Sequence, residues 1–439
     1  IKRLITSEGI QIDLFDKKNN NDELIYFKYN PFEWAFEFPE ILGTSGEFLG
    51  FDCIIGNPPF IDSTVMKKNM GDERDFLRKK YITAKGNWDL YIPFFERALN
   101  LTKPNAIIAL ISPNKWLSID YAKNLRKMVY KQIEEIYDFS RFKSFDSANI
   151  SAITTFFDKL EIDNIKTIRF NKDFDIESEC TVNKREIEQY DNIGITLSEN
   201  YKLLLKMMKD KDLLGGEDHF ILENPASTSE AYELINIIED GNYELLENEY
   251  FKFINTGTID KFESLWGKKE IAYLGLDYKY PIVSKEKLKQ KFPNRFNQAC
   301  QPKLITTGIR YFEVFYDDLG EYLAGKSTII IFSNKNYSIK WLLPILNSSL
   351  IYFYLKETYN ALAMGGGVNY STSNLGLIPL PKLSEENILK LEEITNSYNS
   401  NEKAYQCNLD DIDKFIYELY ELTDQEIKII EKFKEKQGK

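Results

Sequence analysis

The sequence predicts an α/β protein in which part of a parallel-type sheet, flanked by helices, precedes a mixed α+β region and a helical tail. Three observations predict it. Apolar strands alternate with amphipathic helices between residues 51 and 160, the pattern of strands joined by helical crossovers. Short β-rich runs replace that alternation from 251 to 382. Leu and Ile then recur among Glu and Lys at helical spacing over 383–439. A chain of 439 residues has room for two or three domains, and these shifts divide it at 1–160, 161–250, 251–382 and 383–439.

The elements follow in order. The first 30 residues are polar and poorly periodic, with Lys17-Lys18-Asn19-Asn20-Asn21 as a loop. Phe51-Asp52-Cys53-Ile54-Ile55-Gly56 reads as a buried strand. A helical pattern spans Glu73 to Thr102 and is firmest over Leu90–Leu101. Ala106–Ser112 is a second apolar strand, and Ser118–Tyr130 a helix with Ser118 as N-cap. Ile133–Phe139 and Ser151–Leu160 read as two more strands, so only about half of an open sheet is present. Residues 161–250 are charged and aromatic, a connector with one helix around Leu197–Lys209. Beyond it lie the strands Lys303–Ile309 and Ser327–Ser333, a helix Ile339–Glu357 and a Gly365-Gly366-Gly367 turn.

Composition excludes several classes. With 43% hydrophobic and 14% aromatic residues the chain is not a disordered polymer. No apolar run approaches the length of a membrane-spanning helix, and Ile1-Lys2-Arg3-Leu4 opens no signal peptide. Cys53, Cys180, Cys300 and Cys407 are widely spaced without a CxxC pair, which predicts reduced thiols, a cytoplasmic protein and no metal site. The single histidine, His219, reads as a loop residue after Gly215-Gly216. The net charge of −12 hides a reversal. Residues 251–310 hold 12 Lys or Arg against 5 Asp or Glu, a basic cluster suited to a polyanion. A solvated face of Lys285, Lys287, Lys289 and Lys291 is the plainer alternative.

Asn57-Pro58-Pro59-Phe60 closes the strand at 51–56. Each proline fixes φ near −65° and removes an N–H, and Asn57, preceding proline, is driven into an extended conformation. The Asn57 side-chain oxygen and the Pro58 carbonyl can then face the same way as two acceptors beside the ring of Phe60. Two acceptors and a ring suit an exocyclic amine on a planar heterocycle. The motif resembles the catalytic segment of amino-group methyltransferases, above all the DNA adenine-N6 enzymes. With Phe32-Glu33-Trp34, Glu37-Phe38-Pro39-Glu40 and Gly50-Phe51-Asp52 before it, the chain resembles the C-terminal part of the combined restriction–modification (type IIG-like) enzymes.

That resemblance implies a partial Rossmann-like methyltransferase sheet, S-adenosylmethionine as cofactor, and catalysis by Asn57, Pro58, Pro59 and Phe60. It places Phe145 on the other face of a flipped-out base, although Phe145 equally fits a core position at a strand entrance. Asn87-Trp88-Asp89-Leu90-Tyr91-Ile92-Pro93-Phe94 is similar to the family's next motif, which makes Phe94 a contact to the cofactor adenine; periodicity alone makes it part of a buried stripe with Leu90, Phe95 and Leu99. Ile111-Ser112-Pro113-Asn114-Lys115-Trp116-Leu117 resembles the end of the following strand. Leu342–Leu350 and Gly376–Pro381 resemble a TaqI-type target-recognition domain, implying double-stranded DNA as partner and Lys303, Arg310 and Lys326 as contacts.

One departure matters. The family's Gly-rich cofactor loop and the acidic residue for the ribose hydroxyls are absent, and Gly365-Gly366-Gly367 lies in the wrong region to replace them. The expectation is a fragment that lacks the main cofactor-binding motifs, inactive by itself unless a missing N-terminal segment or a partner chain completes the site. Any cleavage activity lies in that missing part. Two alternatives stay open: a recognition subunit without catalysis, and a methyltransferase acting on protein glutamine or RNA.

Overall fold

The computed structural model describes residues 4–5, 11–12, 34–140, 151–158, 160–216, 220–241, 249–334, 337–359, 363–364, 367–399 and 408–437. The loop expected at Lys17–Asn21, Phe145, His219, Gly365 and Gly366 lie outside them. The backbone divides into two compact units, Ile1–Arg185 and Glu186–Lys439.

In the first unit the chain enters its sheet at Gly50, where φ is +90° and a Cβ would stand 2.8 Å from the backbone nitrogen of Lys103. Only glycine takes that conformation at no steric cost. Phe51, the next residue, sits among the rings of Trp34 (5.3 Å), Phe38 (5.4 Å) and Phe48 (6.3 Å). The aromatic residues upstream of the strand thus clamp its first residue.

The unit contains β1 (Phe51–Gly56), α1 (Ser63–Asn69), α2 (Gly71–Lys80), α3 (Ile92–Leu101), β2 (Thr102–Pro113), α4 (Lys123–Val129), β3 (Ile133–Asp138), β4 (Ala152–Phe157), β5 (Asn164–Phe170) and β6 (Ile176–Asn183). They form a six-stranded sheet in the order β1-β2-β4-β3-β5-β6. β1 pairs parallel with β2, and β3 with β5. β4 runs antiparallel between β2 and β3, and β6 antiparallel to β5. The sheet is therefore mixed where the sequence suggested a parallel type. A helical crossover links β1 to β2, whereas β5 and β6 are joined by the short turn 171–175, and a short link permits only antiparallel pairing. There the Asn171 side chain accepts from the backbone N–H groups of Asp173 and Asp175.

The helix expected over Ser118–Tyr130 is shorter. Ile119 is extended (φ −81°, ψ 142°) ahead of a 3-10 turn at Asp120–Ala122, so α4 starts at Lys123 and Ser118 does not cap it. Over α3, Ile92, Phe95 and Leu99 are buried, with Phe95 stacked on Phe157 at 5.7 Å and tilted against Trp116 at 5.1 Å.

In the second unit, α5 (Tyr201–Met208) and α6 (Thr228–Leu234) accompany two four-stranded sheets. The strands are β7 (Phe220–Glu223), β8 (Ile238–Asp240), β9 (Tyr250–Ile254), β10 (Pro281–Ser284), β11 (Lys303–Thr307), β12 (Val314–Asp317), β13 (Tyr322–Ala324) and β14 (Thr328–Ser333). One sheet has the order β7-β14-β11-β12, the other β8-β10-β9-β13. Ile254, Ile305, Phe315 and Ile330 form one core. Helices α7 (Lys285–Lys291) and α8 (Pro293–Ala299) press Leu288, Phe292 and Ala299 into another, with Phe251, Phe253 and Val283.

The expected helix at 339–357 is two helices, α9 (Leu342–Asn347) and α10 (Ser349–Thr358). Ser348 between them is extended, and its side chain caps α10 by accepting from the Ile351 N–H at 3.3 Å. The tail forms α11 (Glu385–Asn399), α12 (Leu409–Leu419) and α13 (Asp424–Gln437).

After β6, buried Lys184 donates to the Lys131 carbonyl at 2.7 Å, and burial lowers its pKa to about 8. Between that value and the ordinary lysine range the unfolded chain holds more protons, so the residue makes stability rise with pH across the window. The melting temperature of wild type should accordingly climb faster than that of Lys184→Met from pH 8 to pH 10, as read by circular dichroism.

Candidate active site

The hook sits where β1 ends. Gly56 is paired with Leu110 of β2, so Asn57 emerges at the carboxyl edge of two parallel strands, the edge where open α/β sheets bind ligands. Asn57 and Pro59 are exposed, Pro58 is buried and Phe60 is half-buried. Among the described residues, nothing holds the Asn57 side-chain amide. A free amide beside two prolines is held in place by the backbone alone, ready to accept from a ligand. Phe60 meets the buried ring of Tyr91 in a T-shaped contact at 6.3 Å.

The segment after Phe60 is fastened from behind. Asp62 caps α1, accepting from the N–H groups of Thr64 (2.7 Å) and Val65 (3.0 Å). The Val65 N–H leads in holding its pKa below the usual carboxylate range. Met66, Tyr81, Trp88 and Leu90 form an apolar cluster against which Ile61 packs. The Arg74 guanidinium lies 5.5 Å above Trp88 and donates to the Gly86 carbonyl. Asp89 is buried in the same loop and accepts from the Ser63 N–H and the Tyr121 hydroxyl. Burial raises the pKa of both Tyr91 and Tyr121, which keeps them neutral. The sequence reading passed over Asp89, although a lone carboxylate among Trp88, Leu90, Tyr91 and Ile92 was the available signal.

Phe94 departs from the stripe that periodicity assigned it. Its neighbours on α3 are buried, while Phe94 is 41% exposed. A second apolar surface opens on β1 and β2. Cys53 pairs with Ile107 and Ile55 with Ala109, so these side chains share one face. Ile55 is 82% and Ile107 58% exposed, and β1 is an outer strand among the described residues. Parallel strands normally carry cover on both faces.

In the second unit the three expected DNA contacts fare differently. Lys303 is 1% exposed; its ammonium pairs with Asp317 at 2.5 Å and donates to the carbonyls of Ala299 and Gln301. Its donors are spent inside the fold, so a phosphate contact from Lys303 is withdrawn. Burial also lowers its pKa, against the pull of Asp317. Lys326 is exposed and donates to Thr228 at 2.8 Å. Arg310 lies on a two-residue strand, Ile309–Arg310; its side chain is outside the described residues, as is Phe145. On α7, Lys287 pairs with Glu239 at 2.5 Å, and Lys285 and Lys289 lie over Phe251 and Phe296.

Comparison with known proteins bears on both units. The Eco57I restriction-modification methylase family matches residues 3–145, and the TaqI-like C-terminal specificity domain matches residues 248–380. The chain carries an Eco57I-type methylase domain and a TaqI-like specificity domain. It is homologous to the type II methyltransferases of restriction–modification systems. Type II methyltransferase M.BstVI of Geobacillus stearothermophilus is 20% identical over 88% of this chain and 76% of its own length. The type II restriction enzyme and methyltransferase RM.Eco57I of Escherichia coli is 28% identical over 26% of this chain and 12% of its own length. The DNA complex of the type IIL restriction-modification enzyme MmeI has a similar structure, with a TM-score of 0.49 and 12% identity over 89% of this chain and 57% of that one. The chain thus spans little of RM.Eco57I and just over half of the MmeI chain.

The Lys303–Asp317 pair makes a stability prediction. Asp317→Ala leaves a buried ammonium without its counter-charge and should cost about 3–5 kcal/mol. Replacing both partners with apolar residues should recover most of that loss, read by urea denaturation of the chain.

Proposed function

We propose that this chain is the base-binding and DNA-recognition part of an S-adenosylmethionine-dependent DNA adenine-N6 methyltransferase of the combined restriction–modification type. One observation carries the reading: an Asn57 amide without a partner among the described residues, at the carboxyl end of a parallel strand, stiffened by two prolines and flanked by Phe60. The Asn57 oxygen and the Pro58 carbonyl each accept one hydrogen of the adenine amino group. This localises the nitrogen lone pair, which is otherwise delocalised into the ring, and favours the more tetrahedral nitrogen of the transition state. A base inside a duplex cannot reach the hook, so the target nucleotide is flipped out and stacks on Phe60, a contact worth roughly 1–3 kcal/mol. Phe145 is proposed for the opposite face.

S-adenosylmethionine, when bound, supplies an electrophilic methyl group. This chain's own part would be to hold N6 on the Asn57 oxygen and the Pro58 carbonyl, in line with that methyl group, and to leave the displaced N6 proton a path to solvent. On this chain the exposed ring of Phe94 fits the cofactor adenine. No Gly-rich loop and no ribose-binding carboxylate accompany it, so the described residues fit only one side of the cofactor. The apolar face formed by Cys53, Ile55 and Ile107 supports the same reading: a further segment or a partner chain covers it and completes the cofactor side. The TaqI-like domain clasps duplex DNA, with Arg310 and Lys326 as proposed contacts, and the protein works in the cytoplasm. Protein glutamine and RNA are disfavoured as substrates because neither calls for a DNA-specificity domain.

Calorimetry on this chain alone should show no micromolar binding of S-adenosylmethionine, and such binding would refute the incomplete-site reading. In the complete protein, Asn57→Ala should lower methyl incorporation into DNA about 10²–10³-fold. Because Asn57 is exposed and its amide has no hydrogen bond among the described residues, the melting temperature should stay unchanged. Activity that survives the substitution would remove the hook from the chemistry.

A further inference from the structure

Asp89 is 5% exposed and stands between the two halves of the proposed site. Its Oδ1 accepts from the Ser63 N–H at 3.3 Å, three residues beyond Phe60. Its Oδ2 accepts from the Tyr121 hydroxyl at 2.8 Å and faces the Lys115 ammonium at 2.5 Å. The next residue repeats the tie, since the Leu90 N–H donates to the Ile61 carbonyl at 2.9 Å. Residues 89 and 90 are thus laced to residues 61 and 63, and α3, with Phe94 in its first turn, begins two residues later.

A buried carboxylate is costly unless it is paired and fully hydrogen-bonded. The apolar loop Trp88–Ile92 would pack with an apolar side chain at 89. The charge is kept where it gathers donors from three separate segments: the chain leaving the hook, the 3-10 turn after β2 and the turn before α4. We infer that Asp89 is a positioning residue that fixes the base-gripping hook relative to the cofactor-facing helix. The inference rests on the methyltransferase reading and adds to it the residue that sets the distance between the two substrates. The hydrogen bonds and ion pair of Asp89 among the described residues go to neither Asn57 nor Phe94; it acts through Ser63, Ile61 and the start of α3. Misplacement of reacting groups by about 1 Å costs on the order of 10²-fold in rate.

Glu96 provides the control. It too is a buried carboxylate, on α3 itself, but it accepts from the N–H groups of Ile82 and Thr83 and from the Thr83 hydroxyl rather than from the segment that follows the hook. Asp89→Asn and Glu96→Gln are compared in the complete protein by steady-state incorporation of labelled methyl groups into plasmid DNA, with melting temperatures measured alongside. Asp89→Asn keeps the side-chain size and an acceptor but removes the charge opposite Lys115. The expected result is a fall in kcat of about 10²-fold with KM for DNA within about threefold of wild type. Glu96→Gln should keep kcat within about threefold even where it melts lower. A wild-type kcat in Asp89→Asn overturns the role while leaving the reaction in place. Equal losses of kcat in the two variants at equal losses of melting temperature reduce Asp89 to a structural residue. Absence of methyl incorporation by the wild-type protein overturns the reaction itself, and the role with it.

Discussion

Parallel pairing between β1 and β2 is the constraint on which the first unit depends. Because both strands run the same way, the segments that follow them, Asn57–Phe60 and Asn114–Leu117, leave the sheet at one edge. The helix that must carry the chain from one strand to the next returns along the face and brings Phe94 to the region beside that edge. Gly50 permits the close approach at the start of β1, and the rings of Trp34, Phe38 and Phe48 hold it there. The positions of Asn57, Phe60 and Phe94 follow from that pairing.

What could be read from the residues was what local chemistry dictates. Pro58 and Pro59 restrict the backbone wherever they stand, so the hook was visible without a structure. The apolar runs at 51–56 and 106–112 are strands as expected, but the first is not the buried strand its composition suggested: none of its residues is buried, and Ile55 is 82% exposed. Strand direction was harder to read. β4 lies between β2 and β3 and runs against both, and its composition is no different from that of a parallel strand. The break at Ser348 was hidden for a related reason: apolar residues continue on both sides, and only a side chain capping Ile351 N–H ends one helix and begins another.

Charge misled where geometry decides. Lys303 lies in a basic stretch of the chain yet points into the core against Asp317. In a strand the side chains alternate between faces, and composition says nothing of which face is inside. Phe94 erred in the opposite sense, being apolar by type and periodicity yet exposed. Asp89 went unnoticed because its role comes from residues far apart in the chain. Ser63, Lys115 and Tyr121 converge on it only after folding.

The outer position of β1 has a consequence for how such a protein is made. A strand with no outer neighbour among the described residues and Ile55 standing in water is a template for another extended chain. The Lys103–Asp52 ion pair at its start places charge at that margin, a modest deterrent against unwanted pairing. Expressed without whatever shields that rim, the polypeptide should be prone to clumping in proportion to its concentration. Its solubility would then report on assembly before any enzymology is attempted.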